Sequence, residues 1–216
     1  MEQLGRDAEP AAMQSLDNLP NLLRRLETEG ACHDAAQTEH RHKRLNLEPP
    51  TAQLLQLLLL SSRRGRVLEI GTSNGYSALW IAGALRQIPR AEPLITIERD
   101  AHKAALARQN LAAAGLQAWV DVRVGEATEI VGGLAGPFDA VFFDADRVSA
   151  PAQLEVLLPK LAEDVLLLAD NALSHPGEIA AYIAATEELP GFTSVTVPIG
   201  KGLHVAHRLR LRRDRV

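Results

Sequence analysis

A single cysteine, Cys32, leaves the chain unable to form an internal disulfide or to hold zinc with a cysteine cluster. Long apolar runs are missing as well. The most continuous one, Leu54 to Leu60, is interrupted by Gln56 and is far shorter than the roughly 20 residues that cross a bilayer. The first twenty residues mix charge, proline and short apolar stretches without the unbroken apolar segment of a secretory signal; with the lone thiol, this predicts a reducing, cytoplasmic setting. Nor is there a strong excess of either charge. At a formal net charge of -4, the chain as a whole attracts neither nucleic acid nor anionic lipid. No internal repeat and no extended low-complexity segment is visible.

What is present is enough apolar material for one substantial core: 216 residues, 46% of them hydrophobic. Residues 1–50 read as an N-terminal helical appendage and 51–216 as the main domain. Leu16, Leu19, Leu22, Leu23 and Leu26 recur at helical spacing with Arg24, Arg25 and Glu27 on the other side, which predicts an amphipathic helix ending at Gly30. The polar stretch from His33 to Arg44, with its basic run His40 to Arg44, reads as a solvated connector, an anion-binding patch being the alternative. Pro49 and Pro50 then introduce a helix beginning near Thr51, leucine-rich on nearly every face and therefore expected to be deeply buried. The arginine-rich end from Arg208 to Arg215 reads as a solvated strand end and tail rather than a nucleic-acid arm.

From Arg66 onward, short apolar runs alternate with helical segments. The runs are Val67 to Ile70, Leu94 to Glu98, Val120 to Val124, Phe138 to Phe143, Val165 to Ala169, Thr193 to Val197 and Leu203 to Ala206. Near-continuous apolarity is what strands covered on both faces of a parallel sheet require. Helices are expected over Tyr76 to Gln87, over Ala101 to Ala114 with Gly115 as C-cap, near Pro151 to Leu158 and from about Pro176. A doubly wound α/β sheet follows. Only Pro198 to Gly202 separates the last two runs, too little for a crossover helix, so they should form an antiparallel hairpin.

The first strand leads into Glu69-Ile70-Gly71-Thr72-Ser73-Asn74-Gly75-Tyr76-Ser77. Glycines at 71 and 75, just before a helix N-terminus with free amides, suit close approach of an anionic or zwitterionic ligand; a plain capped turn is the competing explanation. Glu98, ending the second strand, adds an acid able to accept both hydroxyls of a ribose. A dinucleotide fingerprint would need glycine at Ser73, so the spacing favours a nucleoside without a pyrophosphate.

The string from Val67 to Ser77 resembles motif I of the catechol and caffeoyl-CoA O-methyltransferase family, LEIGT-x-x-GYS. Further matches are Thr96-Ile97-Glu98, Gly125-Glu126-Ala127 in place of Gly-Asp-Ala, Phe138-Asp139 leading to Phe143-Asp144-Ala145-Asp146, Ala169-Asp170-Asn171, and Ile199-Gly200-Lys201-Gly202-Leu203. They cover roughly residues 45 to 208 in order. The resemblance implies a Rossmann-like, doubly wound, mostly parallel seven-stranded α/β sheet with a C-terminal antiparallel hairpin and N-terminal helices. It implies an S-adenosylmethionine-dependent O-methyltransferase acting on a small phenolic or catechol-like molecule, and a homodimer. Gly71 and Ser77 would hold the methionine end of the cofactor and Glu98 the ribose, with Ala127 and Asp146 near the adenine. Glu69 would shape the pocket floor, or else satisfy backbone amides of the loop.

Asp144 ends the fourth strand and Asp170 with Asn171 ends the fifth, so three oxygen donors converge on the edge that carries the glycine loop. Hard oxygen donors suit a divalent metal, Mg²⁺ first; caps of loops and helices are the alternative use of such residues. The family's ligands match all three, and Asp144 and Arg147 take the catalytic positions. Arg147, however, stands where the family has lysine. A guanidinium stays protonated and cannot accept the phenolic proton, so Arg147 is either an electrostatic participant or a surface ion pair. His175 reads as a cap neighbour, proton removal being its alternative, and His204 and His207 read as structural. The segment after Asn171 is short, which predicts an open pocket and does not support caffeoyl-CoA. A metal-independent or catalytically impaired S-adenosylmethionine-binding protein is the competing reading.

Overall fold

The structure, a computed structural model, describes residues 18–39 and 42–208. Leu16 of the leucine stripe, His40 and Arg41 of the basic run, and the arginine-rich end beyond Arg208 lie outside the described residues. The strands are β1 (Val67–Ile70), β2 (Leu94–Glu98), β3 (Val120–Val124), β4 (Phe138–Phe143), β5 (Leu161–Ala169), β6 (Phe192–Val197) and β7 (Leu203–Arg208). The helices are α1 (Leu19–Ala36), α2 (Pro49–Ser62), α3 (Tyr76–Leu85), α4 (Ala101–Ala113), α5 (Ala127–Gly133), α6 (Ala150–Leu157) and α7 (Pro176–Glu188).

The strands form one sheet in the order β3-β2-β1-β4-β5-β7-β6. The first five pair in parallel, and β7 lies antiparallel between β5 and β6, as the short connection from 198 to 202 demands. Along β5 the two-residue period sorts side chains between layers. Leu166 and Leu168 join the core beneath α1 to α4, whereas Val165, Leu167 and Ala169 join the one beneath α5 to α7. No helix among the described residues is long and apolar enough to cross a membrane.

Three expectations need correction. Helix α1 does not stop at Gly30 but runs to Ala36. Gly30 is buried where Asn46 reaches the helix to donate from Nδ2 to Leu26 O at 2.9 Å, and a Cβ there would sit 2.6 Å from that nitrogen. Close packing therefore offsets the roughly 1 kcal/mol by which an interior glycine disfavours a helix. Helix α2 buries only one stripe, Thr51, Ala52, Leu55 and Leu59, and leaves Leu57 61% exposed, because it forms the outside of its layer. Strand β3 alternates buried Val120 and Val122 with exposed Asp121 and half-buried Arg123, and its last residue, Val124, is exposed, since an edge strand has open space on one side. The leucine stripe of α1 turns inward, with Leu22, Leu23 and Leu26 in the same core as Leu55 and Leu59. Tyr76 Oη donates to Glu27 Oε1 at 2.6 Å and pins α1 to the start of α3.

At the amino edge, the buried guanidinium of Arg64 meets Asp164 Oδ1 at 2.7 Å and the Asp164 carbonyl at 3.0 Å, and His207 Nε2 lies 2.9 Å from Asp164. The His207 hydrogen bond, aided by Arg64, holds the Asp164 carboxyl below its ordinary value. Asp164→Ala should destabilise the fold by about 1–2 kcal/mol in urea titrations near neutral pH, the low end for a buried charge losing a half-exposed partner. A carboxyl depressed by folding contributes above its unfolded pKa of 3.8 and stops contributing as pH falls through the lower folded value. The gap between wild type and variant should accordingly narrow as pH falls below 3.8. His204 is equally structural, buried between Thr186 Oγ1 and Thr196 Oγ1 at 3.1 Å each.

Candidate active site

The chain passes outward from β1 to β2 and β3, then crosses back to β4 on the other side of β1. The crevice that such a reversal opens at the carboxyl ends of the strands is where open α/β sheets bind ligands. A cleft of about 670 Å³ occupies it. Gly71, Glu98, Ala127, Asp144, Asp146, Arg147, Asp170 and Asn171 all line this cleft. Glu69 and Ser77 are buried residues outside its lining.

Gly71 is what brings the two halves together. Its φ is +103°, its N–H donates to Ile97 O at 2.9 Å, and a Cβ there would lie 2.2 Å from the Asp144 carbonyl oxygen. The glycine loop and the turn after β4 thus touch backbone to backbone. Glu98 is held by two loop amides: Ser73 N–H donates to Oε2 at 2.8 Å and Asp100 N–H to Oε1 at 2.9 Å. Those bonds orient the carboxylate and leave each oxygen further accepting capacity.

The carboxylate that satisfies loop amides is therefore Glu98, whereas Glu69 is bonded by hydroxyl. Thr96 Oγ1 donates to Glu69 Oε2 at 2.6 Å and is itself 2.6 Å from Thr72 Oγ1. Complete burial pushes Glu69 up to about 7, against the hydroxyls of Ser77 and Thr96. Ala127 opens α5 at the rim, and exposed Asp146 accepts from Val148 N–H at 3.2 Å and Ser149 Oγ at 2.7 Å, tying the turn into α6.

At the other end of the cleft, burial followed by the charges of Asp170 and Glu69 pushes Asp144 well above the usual carboxylate range. Asp170, 3% exposed, is raised to about 6 by burial, and its Oδ1 has no hydrogen-bond partner. Asn171 Nδ2 donates to Asp170 Oδ2 at 2.9 Å, and its Oδ1 accepts from Ser174 Oγ at 3.2 Å. Among the described residues no group of three or more His, Cys, Asp or Glu side chains is arranged to hold an ion; the expected set combines two carboxylates with an amide. Arg147 lines the cleft and also forms an ion pair, Nη2 lying 2.7 Å from Glu178 Oε2 on α7. The ion pair is thus present, and it leaves the side chain on the cleft wall.

Several lining residues were not among the site residues read from the sequence. Arg44 and Leu45 belong to a strap fixed by Asp34, whose carboxylate accepts from their two N–H groups at 2.7 and 2.8 Å. Ser73 Oγ also donates to Arg44 O, and Lys103 Nζ to Lys43 O at 2.7 Å. The end of the basic run is thus part of the cleft wall and not a solvated connector. Lys201 enters from the β6–β7 turn, paired with Glu48 at 2.8 Å. The only hint of Lys201 was its place within the Ile199 to Leu203 string, and for Glu48 there was none.

Residues 21–190 match the family model described as O-methyltransferase. A catechol O-methyltransferase from Niastella koreensis is 37% identical over 133 residues, 60% of this chain and 59% of that protein. A catechol O-methyltransferase from Mycobacterium tuberculosis is 33% identical over 151 residues, 69% of this chain and 66% of its own length. The matched part of the chain therefore spans somewhat less than two thirds of each of these relatives. The O-methyltransferase TomG from Streptomyces achromogenes, solved in complex with SAM, aligns with a TM-score of 0.68 and 26% identity over 90% of this chain and 89% of that one. With the family model extending from α1 through the whole of α7, this chain belongs to the O-methyltransferase family.

Proposed function

We propose that this chain transfers the methyl group of S-adenosylmethionine to a hydroxyl of a small catechol-like or phenolic molecule, with the help of a divalent cation. One observation carries the reading: a single cleft has Gly71 and Glu98 towards one end and Asp144, Asp170 and Asn171 towards the other, joined where Gly71 meets the Asp144 backbone. The SAM complex of TomG and the two catechol O-methyltransferase relatives support it.

The donor set fits a hard cation. Burial and the charge of Asp170 raise Asp144, burial and the charge of Glu48 raise Asp170, and one oxygen, Asp170 Oδ1, lacks any partner, so the site is short of positive charge. Asp144, Asp170 and the amide oxygen of Asn171 would hold Mg²⁺ or a similar ion. Such an ion supplies an anchor for two vicinal oxygens and favours the ionised form of the acceptor hydroxyl.

The remaining work falls to the chain itself. Glu98, pre-oriented by Ser73 and Asp100, accepts the ribose hydroxyls and sets the depth at which the sulfonium sits. The amides at the start of α3 face the methionine end. Arg147, held by Glu178, contributes a fixed positive charge and takes no proton. In the transfer, an oxygen lone pair of the acceptor forms the new C–O bond while the C–S pair stays on sulfur. Orientation of the two substrates in one cleft provides much of the acceleration.

The test is to incubate the protein with S-adenosylmethionine, Mg²⁺ and either catechol or resorcinol, and to weigh the products. A monomethyl ether from catechol, with far less from resorcinol, is expected; no methyl ether from any phenol would sink the reading. Glu98→Ala should weaken S-adenosylmethionine binding in calorimetry roughly 10- to 100-fold, the loss expected for hydrogen bonds to a charged acceptor. Unchanged affinity would remove Glu98 from the ribose.

A further inference from the structure

Arg147 is drawn to one side of the acceptor end. Its Nε and Nη2 both bind Glu178 Oε2, at 2.8 and 2.7 Å, so much of its charge is committed to α7. Lys201 enters the same cleft from the opposite element, the turn between β6 and β7. That turn is tied to the loop following Asn171, since the N–H groups of Leu173 and Ser174 donate to Lys201 O at 2.8 and 3.0 Å. Glu48 Oε1, at the start of α2, holds Nζ at 2.8 Å, while Glu48 Oε2 stays buried without a partner. The other lysine lining the cleft, Lys103, is spoken for by the Lys43 carbonyl on the strap. Burial pulls the Lys201 ammonium down, but Glu48, Asp170 and Asp144 outweigh it and leave Lys201 above its ordinary value, hence charged.

We propose that Lys201 is a catalytic residue of the methyl transfer, its ammonium, positioned by Glu48, stabilising the phenolate oxygen of the acceptor beside Asp144 and Asp170. This rests on the O-methyltransferase function proposed for the cleft. Lys201 keeps its own proton. The phenolic proton passes to solvent, the oxygen lone pair forms the bond to the methyl carbon, and the C–S electron pair leaves on the sulfur of S-adenosylhomocysteine. A fixed ammonium raises the fraction of bound acceptor that is ionised near neutral pH, a task for which a lysine is suited without acting as a base. Glu48 pairs with it, Asp144 and Asp170 are near enough for their charges to act on it, and Arg147 and His175 line the same cleft.

Wild type, Lys201→Met and Lys201→Arg are compared in the presence of Mg²⁺. With S-adenosylhomocysteine and 4-nitrocatechol, whose ionised form absorbs visible light, Lys201→Met should raise the apparent pKa of the bound probe by about one unit. With S-adenosylmethionine and catechol, it should cut kcat roughly 10- to 100-fold, a loss of the size seen on removing one oxyanion donor. Affinity for S-adenosylmethionine should stay unchanged, and Lys201→Arg should restore most of both losses. Should Lys201→Met fail to fold, Glu48→Gln/Lys201→Met removes the carboxylate left without a partner and reads out the same two quantities. Unaltered probe ionisation, or unaltered kcat, in a variant lacking the ammonium overturns the assignment of Lys201 while leaving wild-type turnover, and the parent function, intact. Wild type that methylates no phenol overturns both.

Discussion

Asp170→Ala is expected to lower methyl transfer at least about a hundredfold, the scale on which removal of a charge-stabilising group acts, while S-adenosylmethionine still binds. Chelation by EDTA should do the same to wild type, and added Mg²⁺ should rescue wild type but not the variant. The stability of the metal-free protein should move the other way. Asp170 is almost wholly buried, its Oδ1 is unpartnered, and Asp144 stands beside it with its own pKa driven up. A carboxyl raised to about 6 by folding from an unfolded value of 3.8 binds its proton more tightly in the native state. The contribution of Asp170 to stability therefore falls as pH rises from about 4 through about 6 and is flat above. Asp170→Asn removes that charge at nearly constant volume, so in EDTA it should melt higher than wild type at pH 8 and similarly at pH 4. Activity that withstands EDTA, or an Asp170→Asn protein that melts lower at pH 8, would count against a cation-binding role for these acids.

Gly71→Ala should be the most damaging glycine-to-alanine change among the described residues. At φ +103° an alanine is strained, and its Cβ would fall 2.2 Å from the Asp144 carbonyl oxygen, a backbone atom that cannot swing aside as a side chain can. Strain at a left-handed position and overpacking together predict a loss of about 2–4 kcal/mol in denaturant titrations. Because relief requires the glycine loop to part from the turn after β4, cofactor affinity and metal dependence should deteriorate together. Gly75→Ala is the internal control: it is strained too, at φ +85° and with its Cβ 3.1 Å from Ala107, but Asp144 is not among its neighbours, so it should weaken stability and cofactor binding while leaving the metal dependence in place. If Gly71→Ala left both calorimetric cofactor affinity and the metal requirement in place, the junction between the two halves of the site would have no functional meaning.

Strands β1 to β4 could be read from the chain to the residue: β1, β2 and β4 are nearly continuous apolar runs whose closing polar or glycine residue marks the rim, and β3 alternates valine with polar residues. That same rim is why Glu98, Asp144 and Asp170 were visible as a site: in a parallel sheet every strand delivers its last residue to one edge. Where the local rule had a competitor, it failed. Gly30 has the sequence of a helix stop and the structure of a packing contact with Asn46, and a leucine-covered α2 could not reveal that its far face, at Leu57, meets solvent.

Order along the chain thus determined the doubly wound sheet, its hairpin ending and the acids and glycines gathered at its carboxyl edge, because hydrophobic periodicity and turn residues are local properties that each segment carries with it. Only the tertiary structure decided which cations face that edge. Glu48 meets Lys201, Arg147 meets Glu178, and the strap at Arg44 lies against the glycine loop, all across long stretches of intervening chain. A charged side chain has no periodicity that announces its partner; the pairing is chosen when the elements pack and each buried charge must find an opposite one within reach.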